Sequence, residues 1–141
     1  DVFNREGAWA QQAEGLLPLS QQALVVATSL AYHGYEGIAL RDDEKPRLVA
    51  DLGDKMFMIL RNHGTLTVGS TVADAFLAMF NLERACQTLM IAYASGQKLN
   101  IMNDKVAEQT ARDWDLYTDS AFAHFAEMKK VLDRKDPSYA E

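Results

Sequence analysis

Three histidines, His33, His63 and His124, are the residues of this sequence that could bind a metal ion or move protons. His63 differs in its setting, because it follows the apolar stretch 56–60 closely and is itself followed by Gly64. A strand end holds a side chain in a fixed place, and a neighbouring glycine leaves room for close approach. Spacing alone does not decide whether His63 is a structural turn residue or a metal ligand.

The other candidates carry weaker signals. His33 lies in "AYHGYEG", a turn rich in aromatic residues and glycine, which favours a packing or hydrogen-bonding role. His124 falls within a predicted helix and is expected at the surface or in the core. The sequence contains no His-x-His, Cys-x-x-Cys or His-Glu-x-x-His motif, no nucleophile elbow and no phosphate loop. The glutamates are scattered without an acid–base pair, so no catalytic residue is assigned.

The elements on either side of His63 predict a β-hairpin. Residues 56–61 show no polar alternation, which is typical of a strand covered on both faces. Residues 65–68, "TLTV", alternate and are the expected antiparallel partner. Asn62, His63 and Gly64 then form the turn, so His63 is predicted at the tip of the hairpin.

Helices are predicted before and after this hairpin. Ser20 is expected to cap a helix over residues 21–30, and residues 36–40 read as a short strand. The stretch 41–54 is expected to form a helix with Pro46 in its first turn and Gly53 at its end. Its inner face is predicted from the apolar positions Leu48, Val49 and Leu52.

Two long helices are predicted after the hairpin. The first starts at a capping box of Thr71 and Asp74 and ends at Gly96. The second starts at Asn103 or Asp104 and presents a single apolar stripe that includes Tyr117 and extends to Leu132. Strands followed by helices at these lengths indicate an α/β layered protein with three or four strands.

Composition excludes several classes of function. With 141 residues the chain is one domain, and 48% apolar and 24% charged residues are ordinary for a globular protein. A net charge of −6 argues against nucleic acid or an anionic membrane as the default partner. No apolar run reaches the ~20 residues of a membrane span. Cys86, the only cysteine, fits a small core residue and a reducing, cytoplasmic location.

The residues that frame His63 carry a resemblance to a known family. The segments "EGLLPLSQQAL", "AYHGYEGIAL", "ILRNHGTLTVG", "VADAFLAMFNLERAC" and "LDRKDPSYA" follow one another in unbroken order from Glu14 to the C-terminus. Together they resemble the class II aldolase and adducin head family. The resemblance implies a three-layer α/β/α fold around a mixed, mostly antiparallel sheet. We expect residues 1–141 to be the C-terminal portion of such a domain, and therefore an incomplete one.

The resemblance also implies a chemistry and an assembly. Family enzymes use a divalent ion, commonly zinc and in some cases manganese, to polarise a carbonyl and its enediolate. They cleave a carbon–carbon bond or decarboxylate, and their small-molecule substrates are sugar phosphates or keto acids. The metal is held by a His-x-His pair and a third histidine in the "RNHG" position, which matches His63. Family members are usually tetramers with active sites at subunit junctions, so a homo-oligomer is expected.

The sequence departs from the family pattern at its N-terminus. The His-x-His pair of the family lies shortly before "GLLPLS", but residues 1–6 of this chain contain no histidine. The phosphate-binding loops and the acidic base of the family would lie before Asp1. Two alternatives to an enzyme therefore stay open, a non-catalytic adducin-like scaffold module and an inactive fragment without a metal ion. Tyr32, Tyr35 and Tyr139 are the tyrosines considered for the proton donor of the family.

Overall fold

The computed structural model describes residues 15–38, 42–114 and 120–140. In chain order its elements are helix α1 (Gln21–Ala27), strand β1 (Leu30–His33), helix α2 (Lys45–Leu52), strands β2 (Phe57–Leu60) and β3 (Gly64–Thr67), helices α3 (Val72–Ala94), α4 (Asp104–Trp114) and α5 (Ser120–Lys135), and a 3₁₀ turn (Pro137–Ala140). No helix of the described residues combines the length and the apolarity that a membrane span requires.

The three strands form one mixed sheet in the order β1-β2-β3. Strands β1 and β2 are parallel, with Leu30 opposite Phe57 and His33 opposite Leu60. Strands β2 and β3 are antiparallel, with Leu60 opposite Gly64. The predicted hairpin is therefore confirmed, as is the α/β class with a mixed sheet. Within the described residues, one strand pair is parallel and one is antiparallel.

One face of the sheet packs on the main core. Side chains alternate between the two faces of a strand, so Phe57 and Ile59 point to the same side of β2. They join a buried cluster with Val26 of α1 and with Leu82 and Leu89 of α3, and each of these five side chains is at most 3% exposed. Helix α3 also carries Cys86 into this cluster, which confirms the prediction that the cysteine is a core residue.

Helix α2 covers the opposite face of the sheet. It contacts β1, and Ala31, His33 and Met58, which alternate with the core residues, are buried on this side. Helices α1 and α3, the sheet, and α2 thus form three layers, as the resemblance implied. Pro46 lies in the first turn of α2 and Gly53 ends it with φ of 54°, both as predicted. The prediction that Val49 faces inward is wrong, since this residue is 66% exposed.

The start of α3 fixes where the hairpin meets the helix. Thr71 accepts a hydrogen bond from the Asp74 amide, and Asp74 accepts one from the Thr71 amide, so the predicted capping box is present. Just before it, Gly69 lies so close to the helix that an added Cβ would be 2.6 Å from the Ala75 nitrogen. Only a residue without a side chain fits between the end of β3 and this first turn.

One predicted helix boundary and one predicted strand near β1 are wrong in the described residues. The helix predicted over residues 21–30 ends at Ala27, and Leu30 instead begins β1. Residues 36–38 are not a strand, and residues 39–40 of the predicted 36–40 strand lie outside the described residues. The local apolar pattern could not predict β1, because this strand has only four residues and forms through its parallel pairing with β2, which is remote in sequence.

The last predicted helix is described in two segments, with residues 115–119 between them outside the described residues. Helix α4 ends at Trp114 and α5 begins at Ser120, and the part of the predicted stripe at Tyr117 lies outside the described residues. The remaining stripe is only partly covered, since Val106 and Leu132 are 46% and 43% exposed.

Candidate functional site

The hairpin between β2 and β3 positions His63. Its loop consists of Arg61, Asn62 and His63, and the His63 amide donates to the Leu60 carbonyl at 3.0 Å. Asn62 adopts a positive φ of 58°, a conformation that asparagine tolerates better than most residues. The loop is therefore held by its backbone, and the side chain of His63 is free of any structural task in the turn.

His63 lines a cavity at the ends of β1 and β2. The cavity has a volume of about 370 Å³, and Leu60 and the helix α2 residues Leu48 and Val49 form its apolar wall. The His63 side chain is exposed, and its ring makes no hydrogen bond to the described residues. A Cβ added at Gly64 would meet no heavy atom within 4 Å, so there is open space beside this glycine. The imidazole is thus available to a ligand.

His33 is the buried histidine of the same cavity. It is only 3% exposed, and its Nδ1 lies 2.7 Å from Oδ2 of Asp51. Because a carboxylate only accepts hydrogen bonds, Nδ1 carries the ring proton and donates a hydrogen bond to Asp51. Nε2 lies 3.5 Å from Glu44 and 4.0 Å from Glu36, and makes no hydrogen bond within the described structure. The expected hydrogen-bonding role of His33 is therefore present at one of its two ring nitrogens.

An arginine neutralises part of the acidic charge around His33. Arg47 of α2 donates to Glu36 from Nε at 2.9 Å and from Nη2 at 2.5 Å, and Nη2 also donates to Asp43 at 3.3 Å. These hydrogen bonds, first to Glu36 and then to Asp43, hold the pKa of the Arg47 guanidinium above its ordinary value. The fork ties the segment after β1 to α2 and so fixes one side of the cavity.

The described residues do not form a metal site by themselves. Among them, no group of three His, Cys, Asp or Glu side chains is arranged to hold an ion. His63 offers one nitrogen, whereas a catalytic zinc usually has three protein ligands. His33 does not supply a second, because Asp51 binds one nitrogen and the other has no exposure.

The remaining candidates occupy different places. His124 is half-buried between α5 and α3, where its ring centroid lies 4.7 Å from that of Phe80, and it takes no part in the cavity. Of the three tyrosines considered as proton donors, Tyr35 lines the cavity. The Tyr32 hydroxyl accepts from the Leu16 amide, and Tyr139 contacts Asp133 near the C-terminus.

Sequence reasoning missed Asp51 and Glu44 as parts of the site. Asp51 lies 18 positions after His33, on a helix whose polar face gave no sign that one carboxylate points at the sheet. Glu44 directly precedes α2, where an acidic residue favours a helix start and so gives no separate sign of a site. The signal that could have found them is the packing of α2 over β1, which a single sequence does not contain.

The chain has matches among known families and relatives. Residues 6–90 match the family described as Class II Aldolase and Adducin N-terminal domain. A provisionally named aldolase class 2 protein of Caulobacter vibrioides is 44% identical over 133 residues, which is 91% of this chain and 51% of that protein. Alpha-adducin of Rattus norvegicus is 43% identical over 82 residues, 57% of this chain and 11% of its own length.

Two solved structures share the fold. An aldolase II superfamily protein from Pseudomonas syringae superimposes with a TM-score of 0.90 at 37% identity, covering 97% of this chain and 56% of its own. L-fuculose 1-phosphate aldolase from Glaciozyma antarctica gives a TM-score of 0.75 at 22% identity, covering 93% of this chain and 50% of its own. The chain thus spans about half the length of the Caulobacter relative and of these two structures.

Proposed function

Because the chain belongs to the class II aldolase and adducin family, we propose that it is part of a divalent-metal-dependent lyase with His63 as one metal ligand. The proposed substrate is a sugar phosphate or a keto acid, cleaved or decarboxylated through an enediolate. The observation that supports this most is the position of His63, held by the hairpin backbone with its ring free at a cavity. Zinc or manganese is the proposed ion.

Each part of the cavity has a task in this proposal. The bound ion would act as a Lewis acid toward the carbonyl oxygen of the substrate. Arg61 and Lys45 also line the cavity and give its rim positive charge, which suits a phosphate or carboxylate group. The apolar wall of α2 limits water around the carbon skeleton. The other metal ligands and the catalytic base would come from outside the described residues.

Metal content and lyase activity test the proposal together. We expect the protein to bind zinc or manganese, and His63→Ala to lose the ion and to abolish cleavage of L-fuculose 1-phosphate or decarboxylation of a keto acid. His124→Ala is the matched control, since that histidine lies away from the cavity, and it should keep its metal. Equal metal content in the wild type and in His63→Ala would remove His63 from the site.

A second candidate function is a non-catalytic, adducin-like assembly module that forms homo-oligomers. The observation that favours it is the exposure of large apolar side chains on α3 and α5, with Val72 74%, Ile91 72% and Phe122 59% exposed. Faces of this kind often mark protein interfaces. Light scattering tests it, because Ile91→Lys should reduce the mass of an oligomer, whereas Thr88→Lys, an exposed polar position on the same helix, should not. A wild-type monomer would exclude it.

A further inference from the structure

We propose that the cavity under α2 binds a neutral hydroxyl group of a small molecule through the carboxylate of Glu44, which His33 and Asp51 support from behind. This subsite lies in the cavity that His63 also lines, but it does not use His63 and does not require a metal ion. That the hydroxyl belongs to the substrate of a lyase rests on the function proposed above, but the binding itself does not.

The carboxylate of Glu44 has no hydrogen-bond donor in the described structure. Its side chain is only 14% exposed and lines the cavity. Within the described structure its carboxylate oxygens accept no hydrogen bond, and one of them lies 3.5 Å from Nε2 of His33. A largely buried carboxylate is costly unless donors surround it. Its accessible edge therefore favours a ligand that brings a donor into the cavity.

His33 and Asp51 fix the position behind Glu44. The ring of His33 is 3% exposed, and the 2.7 Å hydrogen bond to Asp51 sets its orientation. In the described structure Nε2 has no hydrogen-bond partner and no contact with solvent, so the ring packs 3.5 Å from the Glu44 carboxylate and does not itself touch a ligand. His33 is thus a positioning residue, and Glu44 is the group that touches the ligand.

The chemistry of the cavity selects a hydroxyl over other donors. A carboxylate or phosphate at this end would meet the carboxylate of Glu44, which repels it. An ammonium group would have to pass Lys45 and Arg61, which line the same cavity. A metal ion lacks a set of three protein ligands among the described residues. A hydroxyl donates to the carboxylate in a short charge-assisted bond without adding charge.

The size and walls of the cavity fit a small hydroxylated molecule. Its volume of about 370 Å³ is at the lower end of small-molecule sites. Leu48, Val49 and Leu60 provide an apolar surface for the carbon atoms, while Glu44 meets the hydroxyl. An alcohol, a polyol or an unmodified end of a sugar has this combination of apolar faces and neutral donors.

Three matched three-carbon probes test the proposal by NMR. We would titrate the ¹⁵N-labelled protein with propane-1,2-diol, propylammonium and propanoate, following the backbone amides of α2 and the ring nitrogens of the histidines. The diol should cause saturable shifts at α2 and His33, with His124 as an unaffected reference in the same spectra. Larger shifts of the His33 ring signals with propylammonium or propanoate than with the diol, or shifts that do not saturate with the diol, would overturn the proposal.

Variants then assign the binding to the named residues. Glu44→Gln should raise the dissociation constant of the diol about tenfold, because a charge-assisted bond becomes a neutral one. Asp54→Asn, an exposed carboxylate just after the same helix, should change it less than about twofold. Asp51→Asn should weaken the binding of the diol and should change the chemical shifts of the His33 ring nitrogens. A loss of thermal stability in Asp51→Asn with unchanged diol binding would reduce His33 and Asp51 to a structural role.

A chelator separates this subsite from the metal proposal. Adding EDTA should leave the diol titration unchanged even where it removes a bound ion. If the diol binds only with metal present, the subsite as proposed is wrong while the metal site stands. If the diol binds but no metal does, the subsite stands and the lyase proposal fails.

Discussion

Replacing Asp51 with alanine removes the acceptor that holds His33 in the cavity wall. In the wild type, Nδ1 of His33 donates to Oδ2 of Asp51 at 2.7 Å, while the histidine is 3% exposed. After the change, the ring keeps a buried donor without a protein partner. Such a donor typically costs about 1–3 kcal/mol of folding free energy.

The exposure of Asp51 decides where in this range the variant should lie. Its side chain is 48% exposed, so solvent screens its charge, and water can enter part of the space it leaves. We therefore expect the lower part of the range, about 1–1.5 kcal/mol. For a domain of 141 residues this loss corresponds to a fall in Tm of roughly 3–6 °C.

Thermal and urea unfolding of matched variants measure this cost. Asp51→Asn keeps a carbonyl acceptor and should lose less than Asp51→Ala, whereas the exposed control Asp54→Ala should stay within about 0.5 kcal/mol of the wild type. A double-mutant cycle with His33→Leu should give a coupling of at least about 0.5 kcal/mol. Equal stability of Asp51→Ala and Asp54→Ala, or additive effects in the cycle, would refute the view that this pair supports the wall.

Three further predictions follow from single positions. Gly69→Ala should lower the Tm by several degrees, because the added Cβ would lie 2.6 Å from a backbone nitrogen of α3; an unchanged Tm would show that the close approach is wrong. Asn62→Gly should keep the hairpin while Asn62→Val destabilises it, since φ at this position is 58°; calorimetry of the pair checks this order. The Asp136 carboxylate accepts hydrogen bonds from the hydroxyl and amide of Ser138, which hold its pKa below the ordinary 3.8. Its stabilising effect is thus present above pH 3.8 and lost as the pH falls through the lower folded pKa, and a carboxyl ¹³C titration with a midpoint at or above 3.8 would contradict it.

Local signals in the sequence predicted the hairpin and the elements that frame it. The buried run at β2, the alternation in β3, the capping box at Thr71 and the glycine at position 53 each act over a few residues. Such signals survive in a single sequence because the physical cause lies within the same segment. The position of His63 at the hairpin tip follows from them directly.

The rest of the site depends on contacts between distant segments. Strand β1 forms because Leu30–His33 pairs with β2, and Leu30 alone read as the last residue of a helix. The burial of His33 follows from the packing of α2, which also brings Asp51 to His33 and Glu44 to the cavity. Contacts between distant segments outweighed the local pattern at β1. Local sequence patterns therefore could not predict that His33 and Glu44 line the cavity.

We propose that the ring of His63 binds a divalent cation, and imidazole NMR during a zinc titration is the decisive measurement. In the ¹⁵N-labelled protein, one equivalent of zinc should shift a ring nitrogen of His63 to the position of a metal-bound imidazole. The signals of His33 and His124 should keep their shifts, since Nε2 of both rings is buried, Nδ1 of His33 is bonded to Asp51, and His124 lies away from the cavity. A His63 signal that does not change with zinc, or that follows only non-saturating additions, would contradict the account.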